Sequence, residues 1–266
     1  MTNVVLLMSR PGGGKSMMIG RTAPKRPLHV FDIDRKMSTM AWAASMIQSG
    51  DITIDELKYP LVEASMESRT KELVMKLQPT KPEGWVQLSE MFQNIKKNEA
   101  AMKAGSWSID SFTLAASHLE RLVGYHFKKD TWEFQQWGAF FKMLEESVTI
   151  LIDSAKEFDK DIYFTIHEKE IEVPGKDTKI MHVGTEKRYV GTLDLGIGCS
   201  VAGSFSSRMP MLFTEVYALK TTVNPTTQEV TYKCVVKPDG LRPLRTSYNV
   251  TGSEFDCDFR KIWGVK

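Results

Sequence analysis

Residues 9–16 read S-R-P-G-G-G-K-S, three glycines followed by lysine and serine. Glycine takes positive φ without the steric cost that a Cβ brings, so successive N–H groups can turn toward a single anion. A helix opening directly behind such a run points its positive end at the same place. Lys15 would then reach the β- and γ-phosphates of a nucleotide, and the Ser16 hydroxyl would ligate magnesium. The full phosphate-loop pattern is G-x-x-x-x-G-K-[ST], and here Ser9 stands where its first glycine would be. The competing reading, a glycine turn that merely joins a strand to a helix, is weakened by the flanks. An apolar run, residues 4–8, leads directly into the glycines. The candidate nucleotide-binding residues are Arg10, Pro11, Gly12, Gly13, Gly14, Lys15, Ser16 and Met17.

Magnesium nucleotide chemistry also needs carboxylates at the tips of neighbouring strands. W-S-I-D-S places Asp110 at such a tip, as a Walker B candidate ligating magnesium beside Ser16. An aspartate before F-T-L serves equally as a helix N-cap, and Ser111 can cap while Asp110 faces the metal. H-V-F-D-I-D-R supplies Asp32 and Asp34. Strand alternation puts both on one side, one to cap a helix and the other to orient an attacking water. Asp34 is the favoured water-orienting residue. His167, after the run I-Y-F-T-I, is a candidate γ-phosphate sensor or a plain surface histidine. The candidate catalytic residues are therefore Lys15, Asp34 and His167.

Residues 168–207 interleave Lys169, Lys176, Lys179, Lys187 and Arg188 with Tyr189 and Phe205. Such a segment can track a phosphate backbone and stack on single-stranded bases, with Lys176, Lys179, Lys187, Arg188 and Tyr189 as the candidate contacts. It can equally be a solvated loop, since Glu168, Glu170, Glu172, Asp177 and Glu186 offset most of its charge. Arg242 and Arg245 are either arginine fingers acting on a neighbour's nucleotide or surface charge. Trp132, Phe134, Trp137, Phe140 and Phe141 crowd one stretch, which core packing or a subunit contact explains better than a cofactor box.

The elements that must position these residues alternate. Strands are expected at 3–8, 28–33, 106–110 and 161–166, and helices from Gly14 onward and over 36–48, 84–103, 111–127 and 131–158. Residues 51–81 read weakly, with a strand at 59–64, a helix at 68–77 and a breaker at 78–82. Residues 168–207 read as irregular, 210–219 and 229–236 as strands, and the tail from Pro238 as irregular. That order predicts a mostly parallel central sheet with helices on both faces and antiparallel strands added near the C-terminus. The expected division is a core over 1–237 and a C-terminal extension over 238–266.

Lysine plus arginine number 35 against 33 acidic residues, so nucleic-acid affinity would have to come from a local patch rather than a global field. Cys199, Cys234 and Cys257 are too dispersed for a C-x-x-C motif, which favours reduced thiols and a cytoplasmic setting. No apolar stretch approaches the roughly 20 residues of a membrane span.

The motif order, phosphate loop, strand ending F-D-I-D, strand ending S-I-D-S and strand ending T-I-H, resembles the RecA-like P-loop ATPases. More narrowly it is similar to phage-encoded members acting as ATP-dependent single-strand annealing or recombination proteins. The resemblance covers roughly residues 3–219, and the phosphate loop is its specific part. It implies ATP and Mg²⁺ as cofactors, Asp110 as the Walker B aspartate, and Asp34 where the family keeps a catalytic glutamate. It places His167 at a polar sensor position before a DNA-contacting loop, and Arg242 and Arg245 as residues acting in trans. Single-stranded DNA, a ring or filament of identical chains, a single-strand DNA-binding protein and a bacterial host cytoplasm are the implied partners and setting. A motor or loader ATPase remodelling a protein partner, and an ATP-switched DNA-coating scaffold with negligible turnover, are the alternatives.

Overall fold

A computed structural model describes residues 2–57, 83–127, 133–174, 179–183, 186–190, 193–201 and 205–264, with backbone alone over 172–196. In chain order come β1 (Val4–Ser9), α1 (Lys15–Thr22), β2 (Leu28–Asp32), α2 (Ala41–Gln48), β3 (Ile52–Glu56), α3 (Gly84–Gln93), α4 (Glu99–Lys103), β4 (Ser106–Asp110), α5 (Phe112–Phe127) and α6 (Phe134–Glu157). There follow β5 (Asp161–Pro174), β6 (Lys179–Val183), β7 (Glu186–Val190), β8 (Leu193–Cys199), α7 (Phe205–Arg208), β9 (Glu215–Val223), β10 (Val230–Val235), β11 (Glu254–Asp256) and α8 (Phe259–Trp263). The chain divides into two compact units, one of residues 1–4 and 25–165, the other of residues 5–24 and 166–266.

In the first unit β5, β4, β2 and β3 lie side by side, all parallel. Every residue of β2 and β4 is buried, which suits strands of a parallel sheet. In register, Asp32 stands opposite Asp110, so two carboxylates share the C-terminal edge of the sheet. Helix α6 buries Gln136, Phe140, Leu144, Val148, Leu151, Ile152 and Ala155, a stripe at three- and four-residue steps. Phe140 belongs to this core, whereas Phe134 is 92% exposed; Trp132 lies outside the described residues. The single helix expected over 84–103 ends at Gln93 and gives way to a 3₁₀ turn, Ile95–Lys97, before Asn98 caps α4, its Oδ1 accepting the Ala101 N–H at 3.2 Å. Likewise the helix expected over 36–48 is a 3₁₀ turn, Met37–Thr39, followed by α2. Strand β3 was not anticipated, and the strand and helix expected at 59–64 and 68–77 lie outside the described residues.

In the second unit β1 pairs parallel with β9, and β9, β10 and β11 continue antiparallel. The expected C-terminal antiparallel addition is therefore present. Residues 168–207 correct the sequence expectation: β5 runs on through His167 to Pro174 and pairs antiparallel with β8, while β6 and β7 form a hairpin. Alternation such as E-I-E-V is what a half-wet strand looks like, and its charges conceal it as a loop. The strand expected from 210 begins only at Glu215, after helical turns over 205–212.

The tail after Pro238 is also ordered, through a fully buried carboxylate. Glu215 accepts hydrogen bonds from Tyr217 Oη at 2.5 Å, Thr246 Oγ1 at 2.7 Å and the Ser247 N–H at 3.0 Å, and from the Ser247 hydroxyl. Trp263 donates its Nε1–H to Tyr217 Oη at 3.0 Å and stacks on Tyr248. Burial and the neighbouring Glu215 push the Tyr217 phenol far above its ordinary range. Removing the carboxylate strips several buried donors of their acceptor at once. Glu215→Ala should therefore lower the unfolding free energy in urea by about 3 kcal/mol, with tyrosine and tryptophan fluorescence reporting release of the tail.

Candidate functional site

The second unit carries the glycine loop between β1 and α1. Gly12 has φ 76° and Gly14 φ 85°, both in the left-handed region that glycine alone enters cheaply. The Gly13 N–H donates to the Arg10 carbonyl at 3.2 Å, closing the turn. A Cβ built on Gly13 would sit 2.3 Å from Ser9 Oγ, so the serine at the first-glycine position requires glycine at the middle one. Gly14 caps α1 with no side-chain hydrogen bond, so the first N–H groups of α1 open into the loop rather than onto a capping side chain.

Lys15 is 6% exposed. Its ammonium donates to Ser9 Oγ at 2.8 Å, to the Ser9 carbonyl at 3.2 Å and to the Arg10 carbonyl at 3.3 Å. These three contacts hold the ammonium inside the loop. Ser16 is half-buried one residue on. Sequence reasoning missed Tyr232: its ring on β10 packs beside Gly14, 3.0 Å from a Cβ placed there. Nothing local signals this contact, since it depends on the pairing of β9 with both β1 and β10.

The first unit carries the carboxylates. Asp110 Oδ1 accepts the Thr165 hydroxyl at 2.5 Å, and the Asp110 carbonyl accepts the Ile33 and Asp34 N–H groups at 2.7 and 3.3 Å. The Asp110–Ser111 peptide bond is cis. Ser111 donates its hydroxyl to Asp34 Oδ1 at 2.9 Å, and Lys36 Nζ stands 3.7 Å from Asp34 Oδ2. Asp34 and Asp110 are therefore brought together within this unit. Ser111 contributes its hydroxyl to Asp34 rather than to a helix cap.

Asp32 has a different task. Strand β2 ends at Asp32 and Asp34 lies in the bend beyond it, so strand alternation does not relate the two. Asp32 is 1% exposed and Oδ2 accepts the Met37 N–H at 2.7 Å, tying down the turn after β2. Burial pushes its carboxyl up to about 6, against the backbone hydrogen bonds from Met37 and Lys36 and with help from Asp110 and Glu56. Among the described residues no group of three or more His, Cys, Asp or Glu side chains gathers to hold a metal.

The remaining candidates are engaged within the second unit. His167 is half-buried inside β5, and its carbonyl accepts the Ser200 N–H at 2.7 Å. Arg242 pairs with Glu168 at 2.6 Å and Asp239 at 2.5 Å. Arg245 donates to the carbonyls of Pro210 and Met211 at 3.0 and 2.8 Å and to that of Phe213. Lys179, Lys187, Arg188 and Tyr189 fall on the β6–β7 hairpin, with Lys187 opposite His182 and Arg188 opposite Met181. Lys176 lies outside the described residues. All three cysteines are free thiols, and no helix among the described residues is long and apolar enough to cross a membrane.

No protein-family model matches the chain, and no curated protein does. Two solved structures are similar to it. A KaiC-like protein from the hyperthermophilic archaeon Pyrococcus horikoshii OT3 is 15% identical, with 92% of this chain and 82% of that one covered and a TM-score of 0.40. The flagellar accessory protein FlaH from Methanocaldococcus jannaschii is 9% identical, with 95% and 83% covered and a TM-score of 0.40.

Two outcomes test this geometry. Gly14→Ala forces a side chain into left-handed backbone against the Tyr232 ring and should cost about 1–2 kcal/mol of stability in urea denaturation. The raised carboxyl of Asp32 favours folding most at pH below its unfolded value of 3.8, and that contribution is lost as pH rises toward 6. Asp32→Asn removes the dependence. The variant should gain on the parent by about 2 kcal/mol between pH 4 and pH 7, read from urea melts at both.

Proposed function

We propose that this chain is a RecA-like P-loop ATPase that binds and hydrolyses Mg·ATP and acts on single-stranded DNA. The observation that carries the reading is the buried Lys15 ammonium lying inside a loop of left-handed glycines at the mouth of α1. An ammonium so placed is what triphosphate binding requires. The strand–loop–helix order supports it, as do carboxylates at the C-terminal ends of parallel strands, where α/β sheets bind ligands.

In this reading the amides of Gly12, Gly13 and Gly14 cradle the phosphates, and Lys15 turns its ammonium from Ser9 and Arg10 to the β- and γ-oxygens. Ser16 and Asp110 are the residues that would hold magnesium, which when bound neutralises charge on the phosphates. Asp34 orients the attacking water and takes its proton, and its hydrogen bond from Ser111 keeps the carboxylate in one rotamer. His167, at the start of the β5–β8 ribbon, is the residue that would pass the state of the γ-phosphate to the segment beyond. The hairpin bearing Lys179, Lys187, Arg188 and Tyr189 supplies the cations and the ring suited to a single-stranded backbone and its bases. Arg242 would have to leave Glu168 and Asp239, and Arg245 its three carbonyls, before either could act on a neighbouring copy.

Lys15→Ala should lower ATP turnover at least about 100-fold, since it removes a charge aimed at the transferring group. Phosphate release measured with single-stranded DNA, duplex DNA, RNA and no polymer, at two salt concentrations, tests the rest. Stimulation by single strands alone, weakening as salt rises, is the expected result. Full turnover by the Lys15 variant rejects the site. Stimulation by no polymer rejects the DNA assignment and leaves the ATPase.

A further inference from the structure

We infer that Thr165 is a positioning residue for Asp110: its hydroxyl holds the carboxylate in the orientation from which it serves the magnesium of a bound nucleotide. The inference rests on the nucleotide reading above and adds a residue that no motif marks.

Thr165 is fully buried on β5, and Asp110 is 6% exposed at the end of β4. The last paired rung between these parallel strands is Ile109 with Phe164, so Asp110 and Thr165 stand on the next one. There Thr165 Oγ1 donates to Asp110 Oδ1 at 2.5 Å. That is the short length of an O–H···O⁻ bond to an ionised carboxylate. A carboxylate so removed from water must have its charge met by donors, or it is costly to keep ionised.

The geometry of the donor matters as much as its charge. Threonine in a strand has few χ1 choices, and a neighbouring strand is a rigid mount. The Asp110 backbone is pinned from the other side, where its carbonyl takes the Ile33 and Asp34 N–H groups. Main chain and carboxylate are thus fixed independently. A hydroxyl has one proton to give, and giving it to Oδ1 holds the carboxylate in one rotamer. Magnesium tolerates little angular error among its ligands, so a carboxylate held in one orientation lowers the concentration needed to fill the site.

A merely structural hydroxyl would affect folding alone, and the two roles separate by experiment. ATP binding is followed by fluorescence of a labelled nucleotide across a magnesium titration and in magnesium-free buffer, for the parent, Thr165→Val, Thr165→Ser, Thr165→Ala and Lys15→Ala. Urea melts of each supply the stability baseline. Thr165→Val should need about tenfold more magnesium for half-saturation, with magnesium-free affinity unchanged. Thr165→Ser should stay within about twofold of the parent and Thr165→Ala should follow valine, since serine and alanine here differ by the hydroxyl alone. Should the valine variant fail to fold, the serine–alanine pair makes the same comparison. Equal magnesium requirements for serine and alanine overturn the inference. So does nucleotide uptake that depends on Lys15 but not on magnesium, which leaves the phosphate-loop reading in place. Absence of nucleotide uptake by the parent removes that reading, and the inference with it.

Discussion

A lysine ammonium sealed almost completely from water must be met by oxygen, because an unpaired buried cation would cost several kcal/mol. Lys15 meets this demand with the Ser9 hydroxyl and the carbonyls of Ser9 and Arg10. Much of the second unit follows from that requirement. The loop must curl back on the end of β1, so Gly12 and Gly14 take left-handed backbone and Gly13 gives up its side-chain space to Ser9. Tyr232 then closes over Gly14, carried there by β10. The departure from the usual motif at Ser9 is thereby accommodated within the loop itself.

The first unit handles negative charge by the same logic. Three aspartates lie near the ends of β2 and β4, and each is assigned different donors. Asp32 takes backbone amides of the following turn, Asp34 takes the Ser111 hydroxyl, and Asp110 takes that of Thr165. Separate donors keep like charges from sharing one environment, and the most enclosed of them, Asp32, is the one whose proton is held up to about 6. Asp32 is thereby a turn cap.

Legibility in the sequence tracked how local each determinant is. The glycine loop and the start of α1 were readable because glycine conformation and helix onset are set within a few residues. The buried strands β1, β2 and β4 were readable as short apolar runs, and so was the stripe of α6. Residues 168–207 were misread, because paired strands with a charged face resemble loop in composition and become strands only through partners such as β8. The single helix expected over 84–103 failed between Asn94, which ends α3, and Asn98, which caps α4, because asparagine side chains and backbone favour helix ends over helix interiors. The tail was misread for another reason: Glu215, Thr246, Ser247 and Trp263 have no local pattern in common, and only burial unites them.

By itself, then, the sequence determined where the glycine turn falls and where apolar strands and helices begin, since both depend on backbone preferences and short-range periodicity. Which carboxylate caps a turn, which hydroxyl serves which aspartate, and which aromatic seals the glycine loop were decided by tertiary structure alone. Those assignments join residues as far apart as Gly14 and Tyr232, or Asp110 and Thr165, and a hydrogen bond or a ring contact needs a position in space that no spacing along the chain encodes.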